Sequence, residues 1–429
     1  MMPSFGIKFS FTARNLSMSS FSKLPYDPTK LPRELTPNYI SADTKDINEM
    51  LEAIPNCDKL DDLFSHISDD VKFQKTPQVT NKLSYEKLID HMEEISQMNK
   101  PKTCFIGDGL KWGKVPATTA PICDIRGLTT AYTPYQPERS QGTLKTLWIY
   151  SSTLSMLTGF EAINASFYER STCLYEAINT ALRIKKKSSI VLVSKTLFPK
   201  DIEVLNTLAM ETNVKIDYID IDKETGKTSV THLNELLSKY TDQIAAIAFA
   251  QVNNLGVLEN FNQLTDIATE NNLLSIGLFD PLHLGTGALE APALWGSKKQ
   301  GVDMIVGEGQ HLAIGPNFGG PGLGIFGIRF NQKTKNNIRS TAGRFVGKTK
   351  DEKGRDCLAM VLSTREQHIR REKATSNICS NQSFIATLAG AGVLCRGEKG
   401  FTDSFANTHA NLKRTLEEIL KCEGVELRF

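Results

Sequence analysis

Asp280 closes an apolar run, Ser275-Ile-Gly-Leu-Phe279, and is followed by Pro281, Leu282 and His283. A carboxylate at the carboxyl end of a buried strand suits a ligand, and pairing with a protonated pyridine nitrogen is one such use. The same residue before proline also suits plain turn capping. Further on, Val306-Gly-Glu-Gly-Gln-His-Leu-Ala-Ile-Gly-Pro-Asn-Phe-Gly-Gly-Pro-Gly-Leu-Gly324 is dense in glycine. Glycine lets backbone come close to backbone or to phosphate, so this run reads either as a cofactor loop or as a tight subunit contact. His283 and His311 are potential acid–base groups without a motif-defined carboxylate partner, and a lone histidine is more often a structural residue. Ser140 and Ser171 lack the Gly-x-Ser-x-Gly setting of a nucleophile elbow. Thr133-Pro-Tyr-Gln136, followed by Ser140-Gln-Gly142, gathers aromatic, amide and hydroxyl groups in the manner of a binding loop.

Several other chemistries are disfavoured. The eight cysteines are scattered, with no Cys-x-x-Cys, no His–Cys cluster and no His-Glu-x-x-His. A zinc or iron–sulfur site is therefore not expected, and the thiols read as small buried hydrophobes in a reducing compartment. No Gly-x-Gly-x-x-Gly follows a first strand and no Walker-type lysine loop exists, which disfavours dinucleotide and P-loop chemistry. Fifty Lys+Arg against 48 Asp+Glu leave a net charge of +2. That balance argues against nucleic acid as a partner, because counterion release needs a clustered cationic face. The stretch from His311 to Ile328, free of Asp, Glu, Lys and Arg, holds six glycines and two prolines. A membrane-spanning helix does not carry them at that density, so no membrane association is expected.

The elements that position these residues follow from periodicity. Ile47, Met50, Leu51 and Ile54 share a helical face after Asp43, a candidate N-cap, and Leu88, Met92 and Ile95 repeat the pattern after Ser84. These two helices read as packing elements or as an arm towards a partner chain. From about residue 140 the pattern alternates. Apolar runs at 189–194, 214–219, 244–250, 275–279, 304–306 and 324–330 read as strands. Helices opened by Pro199, or centred on Leu233, Leu236 and Leu237 and on Leu264 and Ile267, fall between them. Such repetition with short connections demands a mostly parallel sheet with helices on both faces. Ligands of such sheets bind beyond the carboxyl ends of the strands. Residues 1–26 carry Lys8, Arg14 and Lys23 and no acid before Asp27, which reads either as an organellar transit peptide or as a disordered extension with Met18 as a later start.

The same segments resemble a known family. Tyr132-Thr-Pro-Tyr-Gln-Pro-Glu-Arg-Ser-Gln-Gly-Thr-Leu144, Leu157-Thr-Gly159, Asn164-Ala-Ser166, Val306-Gly-Glu-Gly-Gln310, Asn317-Phe-Gly-Gly-Pro321 and His368-Ile-Arg-Arg-Glu-Lys-Ala-Thr-Ser-Asn-Ile378 occur in the order found in the P-protein of the glycine cleavage system. The resemblance spans about residues 40 to 425. It implies an α/β architecture of the fold-type I pyridoxal phosphate transferase kind, with a mainly parallel sheet, helices on both faces and a smaller C-terminal α/β domain. It also implies the reaction of glycine dehydrogenase (aminomethyl-transferring), an oxidoreductase. Glycine is decarboxylated on pyridoxal phosphate, and its aminomethyl group passes to the lipoyl group of H-protein.

Within that resemblance the residues point to the non-catalytic, first of two homologous subunits. The Schiff-base lysine position falls at Gln310, no lysine occurs between Gln300 and Gln332, and Lys298 and Lys299 sit in a polar turn. An amide cannot form an imine. Asp280 matches the ring-facing carboxylate and is expected to be vestigial. Glu169-Arg-Ser-Thr172 stands where the family's loop carries small residues, and Glu169 would oppose a phosphate, with Arg170 a partial offset. No covalent cofactor is therefore expected in this chain, the pyridoxal phosphate belonging to a homologous partner subunit. Thr133, Pro134, Tyr135 and Gln136 are candidates for shaping the joint active site or the lipoyl path, or for packing an interface. Ile369-Arg-Arg-Glu372 reads as interface ion pairs or docking charges.

The expected organisation is an extension (1–36), a helical arm (37–100), a large pyridoxal-phosphate-transferase-like domain (101–335) and a small domain (336–429). The small domain is expected to be cut short, with an open strand edge in Gly424-Val-Glu-Leu-Arg-Phe429. The compartment is cytoplasmic for a bacterial source and mitochondrial for a eukaryotic one. The rival readings are a stand-alone pyridoxal phosphate enzyme, such as an aminotransferase or decarboxylase, and a purely structural scaffold.

Overall fold

A computed structural model describes residues 44–72, 83–103, 107, 114–285, 288–361 and 379–429. The N-terminal extension, the candidate cap Asp43 and the His368–Ile378 motif with its Ile369–Glu372 charges lie outside the described residues. Those described fall into two units, one reaching Lys102 and one running from Thr103 to Phe429.

The first unit holds α1 (Thr44–Glu52), a 3-10 turn at Leu60–Phe64, and α2 (Tyr85–Met98). Of the expected α1 face, Leu51 is buried while Met50 and Ile54 are exposed. Ser84 caps α2 as expected, its hydroxyl oxygen accepting from the Lys87 N–H. α2 buries none of its residues.

In the second unit, short helices α3 (Thr119–Cys123) and α4 (Arg126–Thr129) precede α5 (Gln141–Thr158). α5 buries Leu144, Leu147, Tyr150 and Leu154 as one stripe. It ends at Gly159, whose φ of 73° is the left-handed conformation a helix C-cap takes. β1 (Ala162–Ile163), α6 (Arg170–Ile184), β2 (Ile190–Ser194), α7 (Pro199–Ala209), β3 (Lys215–Ile219), α8 (Val230–Lys239), β4 (Ile244–Ala250), α9 (Phe261–Glu270), β5 (Leu274–Phe279), β6 (Met304–Glu308) and β7 (Gly324–Ile328) follow.

These strands form a seven-stranded sheet in the order β1-β7-β6-β5-β4-β2-β3. Neighbours from β3 to β6 pair in parallel, and β7 runs antiparallel to both β6 and β1. Every residue of β4 is buried, as a central parallel strand covered on both faces requires. Leu192, Ile247 and Ile305 point into one core layer with Leu144, Leu233 and Leu264. Val191, Ala246 and Met304 point into the other with Leu174, Ile178 and Leu205. The sheet thus separates α5, α8 and α9 from α6 and α7, and each fully buried Leu or Ile contributes about 1.5–3 kcal/mol.

Beyond the sheet, β8 (Phe345–Lys350) and β9 (Asp356–Val361) form an antiparallel hairpin. The Lys348 Nζ lies 5.2 Å from the Trp148 ring centroid of α5. α10 (Ser380–Ile419) is two helices joined at Gly397, where φ 59° and ψ −179° break the helical path. Its first part packs closely on α5. A Cβ at Gly390 would stand 3.0 Å from the Tyr150 backbone, and one at Gly392 would stand 2.2 Å from the Leu312 carbonyl oxygen. Gly424–Phe429 forms no strand, contrary to the expected open edge. No ladder partner lies beside this segment among the described residues, so its backbone stays irregular. The Phe429 ring instead covers Gly226, where a Cβ would meet its Cγ at 2.7 Å. No helix among the described residues is long and apolar enough to cross a membrane.

Candidate functional site

β5 and β6 run parallel with Phe279 opposite Gly307, so the chain leaves both strands at the same end of the sheet. Asp280 follows β5 there. Its Oδ1 accepts from the Leu282 N–H at 3.0 Å, capping the Pro281–His283 turn, and stands 3.0 Å from His311 Nε2. Asp280 is 9% exposed and His311 5%, so this pair is buried. His311 thus has the carboxylate partner that no sequence motif defined. His283 lies elsewhere, edge-on to Phe405 at 6.2 Å.

Gln310 follows β6. Its side-chain amide donates to the Pro321 carbonyl at 2.9 Å and, at a longer 3.4 Å, to that of Pro316. Lys298 and Lys299 are exposed, and Lys299 pairs with Glu290.

The residue that organises this end of the sheet is Glu308, for which the sequence motif predicts no role. One carboxylate oxygen accepts from the Gln310 and Leu323 N–H groups at 2.9 and 2.8 Å, and the other accepts from the Arg170 N–H at 3.2 Å. One side chain therefore stitches the end of β6, the entry to β7 and the start of α6.

At that start Glu169 is the N-cap, accepting from the backbone and hydroxyl of Thr172. The Arg170 guanidinium turns aside, with Nε 2.5 Å from Asp201 and Cζ 4.2 Å from the Phe198 ring centroid. The Ser171 hydroxyl donates to the other Asp201 oxygen at 2.6 Å. A helix N-terminus favours an anion through its unpaired N–H groups and dipole. Among the described residues, three carboxylates and one guanidinium lie beside it. Burial raises the Glu169 pKa above the ordinary carboxylate value; the Thr172 bonds oppose this, and the charges of Glu308 and Asp201 add to it. Burial likewise holds the Cys173 thiol and the Tyr150 hydroxyl well above their usual values, with Glu308 contributing to both.

The glycine-dense run has a role beyond a cofactor loop or a subunit contact. Cβ atoms at Gly322 and Gly324 would lie 2.7 Å from the Glu169 Cβ and carbonyl oxygen respectively. The run needs glycine because it passes against the chain's own backbone before α6.

The Thr133–Gln136 loop packs against the start of α10. Thr133 and Pro134 are buried, Tyr135 is half-buried and Gln136 is exposed. The Thr133 hydroxyl is 3.0 Å from that of Ser380 at the start of α10, and the Tyr135 ring lies edge-on to Tyr132 at 6.4 Å. Burial lowers the pKa of the nearby Arg344, and Tyr135 opposes that shift. Gln141 closes the loop by donating to the Pro137 and Leu358 carbonyls at 2.7 and 2.8 Å and accepting from the Leu358 N–H at 2.9 Å. Leu312 meets α10 at Gly392, roughly 18 Å along the helix from Ser380 at 1.5 Å per residue. The structure thus links Asp280 with His311, and Glu308 with Gln310 and Arg170 beside Glu169, while Thr133 meets Ser380 of α10.

Known proteins share this arrangement of elements. Residues 37–428 match the family described as glycine cleavage system P-protein. A Legionella pneumophila (strain Corby) protein named probable glycine dehydrogenase (decarboxylating) subunit 1 is 34% identical over 394 residues, covering 91% of this chain and 83% of the relative. A Nitrosospira multiformis protein of the same name is 34% identical over 391 residues, covering 91% and 84%. A crystal structure of glycine decarboxylase (P-protein) of the glycine cleavage system, in inhibitor-bound form, superposes with a TM-score of 0.71 at 29% identity, over 86% of this chain and 79% of that one. Fold, motif order and extent of match agree, and the chain belongs to the glycine cleavage system P-protein family.

Proposed function

We propose that this chain is the non-catalytic first subunit of glycine decarboxylase, assembled with a homologous, lysine-bearing subunit that holds pyridoxal phosphate. The assembly decarboxylates glycine and passes its aminomethyl group to the lipoyl arm of H-protein. The observation that carries this reading is the Gln310 side chain, at the expected lysine position with its amide donated to the Pro321 carbonyl at 2.9 Å. An amide nitrogen, its lone pair delocalised into the carbonyl, does not condense with an aldehyde or take up a proton from a substrate carbon. The residues around Gln310 do not fit a covalently held pyridoxal phosphate.

On this reading the chain works through surface and shape. Thr133 and Pro134 anchor their loop in the body of the subunit, while the half-buried Tyr135 and the exposed Gln136 shape the joint active site or the lipoyl path. The subunit naming of the bacterial relatives supports a partnered enzyme. The compartment follows the source: cytoplasm in a bacterium, mitochondrial matrix in a eukaryote.

The test is made on the purified chain and on the chain mixed with its homologous subunit. The chain alone is expected to be colourless after dialysis and inactive in glycine–bicarbonate exchange, with activity appearing on mixing. Robust exchange by the chain alone overturns the reading. A partner fully active without it reduces this chain to a scaffold.

A further inference from the structure

We infer that the cofactor position of this chain is filled from within: the Glu308 carboxylate takes the contact a phosphate would make at the start of α6, and the His311 imidazole takes the contact a pyridine nitrogen would make on Asp280. The inference rests on the reading that this chain holds no pyridoxal phosphate. It adds that non-covalent binding is barred as well, by internal groups rather than by the missing lysine alone.

Phosphate binding at a helix start requires N–H groups without partners and a local positive field. Both are reduced at the start of α6. The Arg170 N–H is given to Glu308 and the Thr172 N–H to Glu169. The Thr172 and Ser171 hydroxyls go to Glu169 and Asp201. Arg170, the cation at this corner among the described residues, is held by Asp201 and Phe198. Among the described residues, three carboxyl groups and one guanidinium make this corner acidic, where a phosphate would add more negative charge. Like charges at such separations repel strongly in a partly buried site.

Glu308 differs from the other two acids in what it joins. Glu169 caps its own helix, and Asp201 belongs to the neighbouring α7. Glu308 reaches α6 from β6, 138 residues away in sequence, and also orders the Gln310 backbone and the entry to β7. Removing it frees the Arg170 N–H and lowers the negative charge together. On the other side of the site, Asp280 already meets the ring nitrogen of His311 at 3.0 Å, deep in the protein. A lysine at position 310 therefore supplies an amine to a site whose phosphate and ring contacts are taken.

The test compares the full-length wild type with Gln310→Lys, Gln310→Lys/Glu308→Ala and Gln310→Lys/Glu308→Gln. The probes are pyridoxal 5′-phosphate and pyridoxal, which share an aldehyde and differ in the phosphate. The readout is imine absorbance on titration, with borohydride trapping and mass mapping of the labelled peptide. Gln310→Lys alone is expected to trap both probes weakly and equally. Adding Glu308→Ala is expected to tighten pyridoxal 5′-phosphate roughly tenfold or more, a tenfold step being 1.4 kcal/mol, and to leave pyridoxal unchanged. Glu308→Gln keeps the size of the side chain and an acceptor for the Gln310 and Leu323 N–H groups. It is expected to act in the same direction and covers a failure of the alanine variant to fold. A tenfold phosphate preference in Gln310→Lys alone overturns the inference, as does the absence of any preference in both double variants. An imine in the wild-type chain instead overturns the underlying functional reading, so the two failures are distinguishable.

Discussion

The Glu169 carboxyl closes the first turn of α6 and at the same time adds a charge to a crowded acidic corner. Its pKa is raised by burial, then by Glu308 and Asp201, against the lowering effect of the Thr172 bonds. A carboxyl raised on folding binds its proton more tightly in the folded chain than in the unfolded one. Its contribution to stability is therefore greatest in acid and falls as pH rises from the unfolded value of 4.5 through the raised folded value. Glu169→Gln retains an oxygen to accept the Thr172 N–H and removes the charge. The variant is expected to melt above wild type near neutral pH, with the gap shrinking in acid, as read by Tm against pH. A gap that does not change with pH assigns the effect to cap geometry alone. The position of Gln310 could be read from the chain because its spacing within a motif is local. The work of Glu308 could not, because it depends on an N–H group 138 residues away.

At the scale of elements, the approach of α10 to its neighbours depends on two missing side chains. Gly→Ala in a helix gains about 1 kcal/mol of propensity, while overpacking costs about 1–3 kcal/mol. At Gly390 the contact with the Tyr150 backbone is tight at 3.0 Å, so the two effects nearly offset. At Gly392 the 2.2 Å approach to the Leu312 carbonyl cannot be absorbed without moving the turn that follows Gln310. Gly392→Ala is thus expected to be the more destabilising of the two by about 1–2 kcal/mol in chemical denaturation. Equal midpoints for the two variants would show that α10 shifts freely. Elements with strong patterns were legible beforehand: β4, Ile244–Ala250, is an unbroken apolar run, and Pro199 opens α7 as its fixed φ favours. β1 was not. Two residues, Ala162 and Ile163, carry no period and become a strand only by pairing with Ile328 and Gly327.

At the scale of the whole second unit, Gln141 acts as a clasp between the body and the β8–β9 hairpin. Its amide satisfies both the N–H and the carbonyl of Leu358, as a paired strand would. Gln141→Ala leaves those two half-buried groups and the Pro137 carbonyl without that partner. The expected loss is about 1–3 kcal/mol, with faster amide hydrogen exchange at Leu358 than in β4. Unchanged exchange at Leu358 would mean that packing of the hairpin on α5 suffices. The parallel sheet was legible because alternating strand and helix patterns permit few topologies. The docking of the Thr133–Gln136 loop on α10 was not, since neighbouring motifs in a family signature carry no distances. Long-range pairs such as Thr133 with Ser380 decide it.

The contact of Lys348 with Trp148 gives this joint its own optical gauge. Trp148 is half-buried where the hairpin meets α5, whereas Trp295 is fully enclosed against Phe249 and Phe261. Lifting the hairpin wets one indole and leaves the other dry. Emission from Trp148 therefore red-shifts when the clasp opens, and emission from Trp295 does so only when the sheet itself comes apart.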